Sequence, residues 1–526
     1  MKYFIVSIGG TGSREAEMIV HLAAIGMLEN CDELMVYYVD ADEQNGDTNR
    51  LQNVIRAYSK MRKSLVEDCE ERFPHDFMHP RIEMQSFGIR NCILALGDGA
   101  DNPKYLDLAG ENTDHLSLKM LNLLHPKFDQ SITLEHGFYG DPAMGAAIFR
   151  AVSQTEPFQE NELFNKLEQE LGANTSVDQC VVLTGSVFGG TGAALFPNFA
   201  EKIRDRFSEK SHLHIGGALF LPYFTFPGEK GATVTSTDFL AKTAAALDSY
   251  SDREYNPEKG KKDLVKNGRS SDYIFDALWL CGYPERESTS DRNVDGGQDQ
   301  YHRHHFVELL AALLSCQFMN EQGVLPGDAS KKQLYTYRLN PQNDTLEWDV
   351  FPPELKSRIS AFARFCVLHL TTVRAILGSK DAIKNNTLKG MFGSTGLFGL
   401  GGDAKCDIDD LRKQANDAAD YCKAFLDMLL NMNRCQNPPV SLVEVNNLQN
   451  VLNNWEKPLD LEKANKLCKL KVVPDDLYGK QASDFTGMWG SFKDGKNASD
   501  SANAMKYLYA AFYKMCCDET RGDGSK

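Results

Sequence analysis

Cys180-Val-Val-Leu-Thr184 leads through a short turn into Phe188-Gly189-Gly190-Thr191-Gly192-Ala193-Ala194, and Leu195 to Ile203 follows. The first segment is apolar and strand-like, the last has helical periodicity, and the glycines between them predict a strand, a tight turn and a helix. The pattern occurs again at the start of the chain, where Tyr3 to Ile8 runs into Gly9-Gly10-Thr11-Gly12-Ser13 and then Arg14 to Met27, with Ile19, Leu22 and Ala23 at helical spacing. Glycine lets a backbone approach a ligand closely and adopt positive φ, while the N–H groups of the following helix point outward. Such a turn favours an anion, and phosphate above all. Neither turn ends in Gly-Lys-Ser/Thr, so backbone amides must do most of the cradling.

The flanking chain alternates in the same way. Glu33 to Asp40 reads as a second strand ending in an acid, and Asp40 and Asp42 fall near the same crevice; in a dinucleotide fold an acid there holds a ribose hydroxyl. Residues 49 to 72 look helical, and Cys92 to Gly99 is a third strand-and-turn candidate. Gly140-Asp141-Pro142, with Gly145, forms a compact turn before the helix Ala146 to Val152, a third place where amides could face an anion. Leu213 to Leu221 is an apolar run of the buried-strand type, ending in Pro222 to Gly228. A helix is predicted over Asp238 to Tyr250, a strand over Tyr273 to Cys281 and an apolar helix over Phe306 to Phe318. Strands alternating with helices predict an α/β fold, a mostly parallel sheet covered on both faces.

From this, 1–325 is expected to form the nucleotide-binding domain, with 251–272 as a polar insertion loop. Residues 326–350 form a linker with a short strand candidate at Leu334 to Arg338, 351–519 a mainly helical domain, and 520–526 a disordered tail. The predicted helical runs are Leu355 to Leu377, Ile408 to Met432, Leu442 to Trp455 and Ala502 to Cys516. The glycine-rich stretch Gly390 to Gly402 reads as a connector.

With 526 residues the chain can hold more than one core. Its net charge of -16 repels a phosphate backbone, which argues against nucleic acid as a direct partner. The thirteen cysteines lack zinc-like pairing, so they read as reduced thiols, mostly core residues. Met1 to Ile8 stops at Gly9 without a basic flank or cleavage site, and no run reaches the ~18 uninterrupted apolar residues of a membrane span. A cytoplasmic protein without a transmembrane segment is expected.

The order of these elements resembles the tubulin and FtsZ superfamily of GTPases, whose hallmark is Gly-Gly-Gly-Thr-Gly-Ser/Thr-Gly after a central strand. Gly189-Gly190-Thr191-Gly192-Ala193 looks like its core, with Phe188 and Ala194 in place of the outer glycines. Gly9 to Ser13 is similar to the family's first glycine loop, Asp40 sits where its second strand ends, Gly140-Asp141-Pro142 looks like its Gly-x-Asn-Pro turn, and Pro222 to Gly228 resembles its Pro-Phe-x-Phe-Glu-Gly stretch. The matches cover about the first 320 residues, in order. Gly296-Gly297-Gln298-x-Gln300 followed by His305 to Leu313 looks further like the large divergent bacterial tubulin-like proteins, often associated with stress or phage-defence gene sets.

The resemblance implies a protein that binds GTP or GDP with Mg²⁺ and self-associates head to tail into filaments, with Asp238 on the helix that reads the base. Hydrolysis is implied to need an acidic loop of the neighbouring subunit. Asn293-Val294-Asp295-Gly296-Gly297-Gln298-Asp299 stands where that loop belongs, which makes Asp295 and Asp299 the catalytic candidates, although turn residues in a polar loop explain them equally well. Glu308 is a rival acid or a helix cap. His302, His304 and His305 beside it lack metal-ligand spacing and read as solvent or nucleotide-edge histidines, so no protein-held metal is expected. Two other readings stay open: a nucleotide-sensing scaffold that does not hydrolyse, its helical half docking protein partners, and a Rossmann-type NAD-binding protein built on Gly9 to Ser13 and Asp40.

Overall fold

A computed structural model describes residues 1–66, 77–96, 134, 138, 141–173, 177–210, 212–225, 227, 236–251, 263–265, 273–284, 286–291, 297–323, 345–379, 408–473, 509–510, 513–514 and 516–517. Contacts divide the chain into two compact units, one of Met1–Ile19, Asn30–Gln52 and Ile82–Thr336, the other of Val20–Glu29, Asn53–Arg81 and Tyr337–Lys526.

The first unit is built on a six-stranded parallel sheet flanked by helices. Its strands are β1 (Lys2–Ile8), β2 (Glu33–Val39), β3 (Arg81–Ser86), β4 (Gln179–Ser186), β5 (Leu213–Phe220) and β6 (Ala277–Cys281). They lie in the order β3-β2-β1-β4-β5-β6. β4 is buried along its whole length and lies between β1 and β5, so its near-continuous apolar run is what a strand covered on both faces requires. The helices that follow the strands are α1 (Gly9–Ala24), α2 (Gly46–Val66), α3 (Pro142–Val152), α4 (Glu162–Ala173), α5 (Gly190–Arg206), α6 (Phe239–Ser251) and α7 (Phe306–Asn320).

Several expectations shift. The third strand is Arg81–Ser86, and the first residues of the expected strand, Cys92 to Leu94, belong to a short helix, Ile89–Leu94. Arg81–Ser86 is an edge strand, so only part of it is buried and the apolar signal is weak. Tyr273 to Cys281 is broken at Asp276, whose carboxylate accepts from the Ile215 amide at 2.8 Å and from Arg204 at 2.7 Å. The side chain replaces a ladder partner and so interrupts the strand. Within the expected insertion loop, Asp263–Val265 pairs in parallel with Tyr273–Phe275; 252–262 and 266–272 lie outside the described residues, as do the linker strand at Leu334 to Arg338 and the stretch Gly390 to Gly402.

Among the described residues of the second unit the regular elements after 345 are helical. The longest are α8 (Pro353–Leu368), continued through a π-helical turn at His369–Val373 into Arg374–Gly378, and α9 (Ile408–Met432). The π turn has a visible cause: Thr371 Oγ1 bonds back to the Val367 carbonyl at 2.6 Å, and His369 is held by the Ala415 carbonyl at 2.8 Å. Its core is aromatic, with Phe77 stacked on Tyr513 at 4.0 Å and Phe362 edge-on to Phe425 at 4.5 Å. Pro353–Gly378 is the one described helix long and apolar enough to cross a membrane, and its apolar window is buried inside the protein. Among the described residues the cysteines are buried thiols.

Beneath the sheet of the first unit Glu15 is wholly buried, its carboxyl taking bonds from Thr184 and, at 2.6 Å, from Ser315. Burial pushes its pKa up to about 7, against the opposing pull of the two hydroxyls. An acid raised on folding binds its proton more tightly in the folded state, so its contribution is complete below about pH 4.5 and is lost as pH rises to about 7. Glu15→Gln is expected to remove that dependence and to raise stability at pH 8 by up to roughly 3 kcal/mol. Urea melts of both proteins at pH 5 and pH 8 check it, and an unchanged pH slope would count against it.

Candidate functional site

β1 and β4 are neighbours in the sheet, with Ser7 beside Thr184, yet the chain leaves β1 toward β2 and β3 and leaves β4 toward β5 and β6. This is a topological switch point, and in open parallel sheets the crevice beyond the strand ends at such a point is where ligands bind. Both glycine turns sit there. Gly9 opens α1 with φ +69°, and a Cβ added to it would lie 3.6 Å from Thr191 Cβ and 3.8 Å from the Gly192 amide nitrogen. The two turns therefore touch. Gly189 caps α5 with no side chain to offer, which leaves the first amides of Gly190, Thr191 and Gly192 to an outside acceptor. Gly10 packs against Asn45 and Asp47, and Gly12 lies so close to β4 that a Cβ would come 2.6 Å from the Thr184 carbonyl. Thr11 is half-buried in the same turn.

Asp40, one residue past β2, joins this cluster. Its carboxyl accepts from the Asp42 amide at 3.2 Å and from Thr191 Oγ1 at 3.5 Å. Burial first, and the neighbouring Asp42 charge second, push its pKa up to about 7. An acid so poised in a crevice marks a functional candidate. Asp42 accepts from the Gln44 amide at 3.1 Å and from the Gly297 amide at 2.7 Å.

Other candidates are placed elsewhere or are already engaged. Ser13 is buried, its hydroxyl between Ser7 Oγ at 3.2 Å and Thr48 Oγ1 at 2.9 Å, so it ties α1 to β1 and α2 instead of facing a ligand. The Ala193 amide bonds to Gly189 inside the helix at 3.1 Å and is not available to an anion. Asp141 caps α3 by accepting from the amides of Ala143 and Met144 at 2.9 and 3.0 Å. The third turn is thus closed by its own carboxylate, and Gly145 serves contact between helices, its Cβ position 2.5 Å from Ala194 Cβ. Asp238 is exposed at the start of α6, beside Phe239, whose ring packs on Phe188 of the second glycine turn at 4.7 Å. Gly140 and Asp295 lie outside the described residues. Asp299 is exposed, and the chain around it is bound to the β2–α2 turn: Gly46 N to Gly297 O at 3.1 Å, Gln298 to Gln44 at 3.1 Å, and Asn45 to Gln300.

Under the first glycine turn lies a buried ionic network that no local sequence pattern marks. Arg14 of α1 pairs with Glu308 of α7, its guanidinium 4.8 Å from the Phe224 ring centroid. Glu308 also accepts from Tyr223 at 2.7 Å and from the His305 amide at 3.1 Å. Burial pushes its pKa up, but Arg14 and then His304 outweigh that and hold it at about 2. Arg50 of α2 reaches Glu17 at 2.7 Å and the His302 carbonyl at 2.6 Å.

His304 is buried, 3.1 Å from Glu17 and 3.4 Å from Glu308; burial and Arg50 lower its pKa, while those two acids outweigh them and hold it above its ordinary value. His305 is buried too, and burial pushes its pKa down to about 3, so it stays neutral and caps α7. Neither is a solvent histidine. Glu308 closes the same capping box, so the rival catalytic acid is a structural one.

Asn45 caps α2 through the amides of Asp47 and Thr48 at 3.0 and 3.2 Å, a role that Asn before an acidic first turn does signal in sequence. Pairing of Arg14, Glu17, Asp47 and Arg50 with residues more than 200 positions away carries no such signal. No protein-family model matches the chain, and no curated protein matches it.

Proposed function

We propose that the chain is a cytoplasmic tubulin-like protein that binds GTP with Mg²⁺ at the crevice between β1 and β4 and hydrolyses it. The observation that carries this reading is the contact between the two glycine turns at the switch point, with Asp40 against Thr191. One phosphate chain placed there meets the amide ends of α1 and α5 together. Neither turn contains Lys or Arg, and Arg14 and Arg50 are engaged by Glu308 and Glu17, so the negative charge of a triphosphate suits amides plus a Mg²⁺ carried with the nucleotide. Choice of guanine and head-to-tail assembly rest on the family resemblance alone.

Calorimetry with GTP, ATP and NAD in the presence of Mg²⁺ tests the reading. GTP is expected to bind; no heat with any of the three would remove it. The strand order and the acid after β2 suit a dinucleotide equally, and recovery of NAD from purified protein would favour the Rossmann alternative. Binding without turnover would leave the nucleotide-sensing scaffold.

The tying of Gly297 and Gln300 to the chain's own β2–α2 turn favours a role for Asp299, which lies between them, beside its own nucleotide over a role at a neighbour's. Turnover per molecule is then expected to stay constant as protein concentration rises. A steep increase, accompanied by sedimenting polymer, would support the shared site and the filament.

A further inference from the structure

Resting on that reading, we propose that His302, held by Asp47, is the group that takes the proton from the water attacking the terminal phosphate of the bound nucleotide. The geometry is that of an oriented base. His302 Nδ1 lies 2.8 Å from Asp47 Oδ2, and the His302 amide donates to Asp47 Oδ1 at 3.0 Å. Two bonds to one carboxylate fix both the ring and its backbone, and a carboxylate on Nδ1 leaves Nε2 as the basic nitrogen. The dyad abuts the first glycine turn: a Cβ on Gly10 would sit 3.5 Å from Asp47 Oδ2.

The surroundings hold the pair in place. Phe224, four residues beyond β5, covers the ring with centroids 5.1 Å apart, and the imidazole is 13% exposed. Among the described residues Nε2 has no hydrogen-bond partner. The charged groups that face the dyad are Arg50 on α2, 3.3 Å from Asp47, and Arg14 on α1. Burial raises the Asp47 pKa, but His302, Arg50 and Arg14 outweigh it and hold the carboxyl below its ordinary range. Asp47 thus stays ionised and positions the ring.

In the step assigned to it, Nε2 accepts a water proton as the water oxygen bonds to the γ-phosphorus. The bond from that phosphorus to the β–γ bridging oxygen breaks, its electron pair remaining on the nucleoside diphosphate, and the imidazolium then passes its proton to the released phosphate or to solvent. General bases of this kind contribute about 100- to 10,000-fold.

The test measures GTP affinity and turnover separately on the full chain. His302→Gln is expected to lower kcat about 100-fold or more and to change the Kd for GTP less than about threefold. Asp47→Asn is expected to slow turnover with a similarly small change in the Kd for GTP. His302→Gly, with added imidazole, is expected to regain part of the lost rate, which a purely structural histidine would not show. Wild-type GTP binding with no turnover, or unchanged kcat in His302→Gln, overturns the proposal while leaving nucleotide binding intact. Absence of GTP binding by folded wild-type protein instead removes the reading beneath it.

Discussion

Replacing Arg14 with alanine is expected to lower the unfolding free energy by about 3–5 kcal/mol, because it strands a buried carboxylate. Arg14 is wholly buried and is the main cation against which Glu308 is ionised; without it Glu308 keeps Tyr223, His304 and the His305 amide but loses its principal countercharge. The same change exposes a void beside Phe224 and Tyr223, over which the guanidinium lies. Arg14→Met/Glu308→Met removes both charges at similar volume, and such double replacements are often near neutral. Urea unfolding of the single and double variants gives the coupling energy directly. A loss below about 1 kcal/mol for Arg14→Ala would mean that the pair is not an energetic centre of the first unit.

The glycine turns were legible because their chemistry is local: glycine after an apolar strand and before an apolar helix has few structural solutions. β1, β2, β4 and β5 and the helices after β1 and β4 followed from that pattern, and the sheet order then made Gly9 and Thr191 neighbours. Arg81–Ser86 was missed because an edge strand needs only a few buried side chains. Ser13 and Ala193 belong to the motifs, whereas the atoms that matter are individual hydroxyls and amides, and the Ser13 hydroxyl and the Ala193 amide are committed inside the fold.

Asp141 shows the same limit from the other side, since an acid before Pro142 is as good a helix cap as it is a ligand. The ionic network under the first turn was beyond reach for a different reason. Arg14 and Glu308 are separated by almost the whole first unit in sequence, and a charged residue on a helix is ordinarily solvent-facing.

Gly192→Ala is expected to weaken GTP binding at least about 30-fold and to cost about 1–3 kcal/mol of stability. The added Cβ would meet the Ser186 amide nitrogen at 2.7 Å and its carbonyl closer still. Both belong to the last residue of a buried strand, so the clash cannot be relieved by turning a side chain. The turn must move away from β4, carrying Thr191 from Asp40 and the first α5 amides from Gly9. Gly172→Ala is the matched control, because nothing lies within 4 Å of its Cβ position and the residue is in α4. That variant is expected to bind normally and to gain up to about 1 kcal/mol. Calorimetry on the folded fraction of each separates the two roles of Gly192: reduced stability with intact affinity would make the second turn a connector between strand and helix, whereas loss of affinity in the folded fraction ties the ligand to its amides.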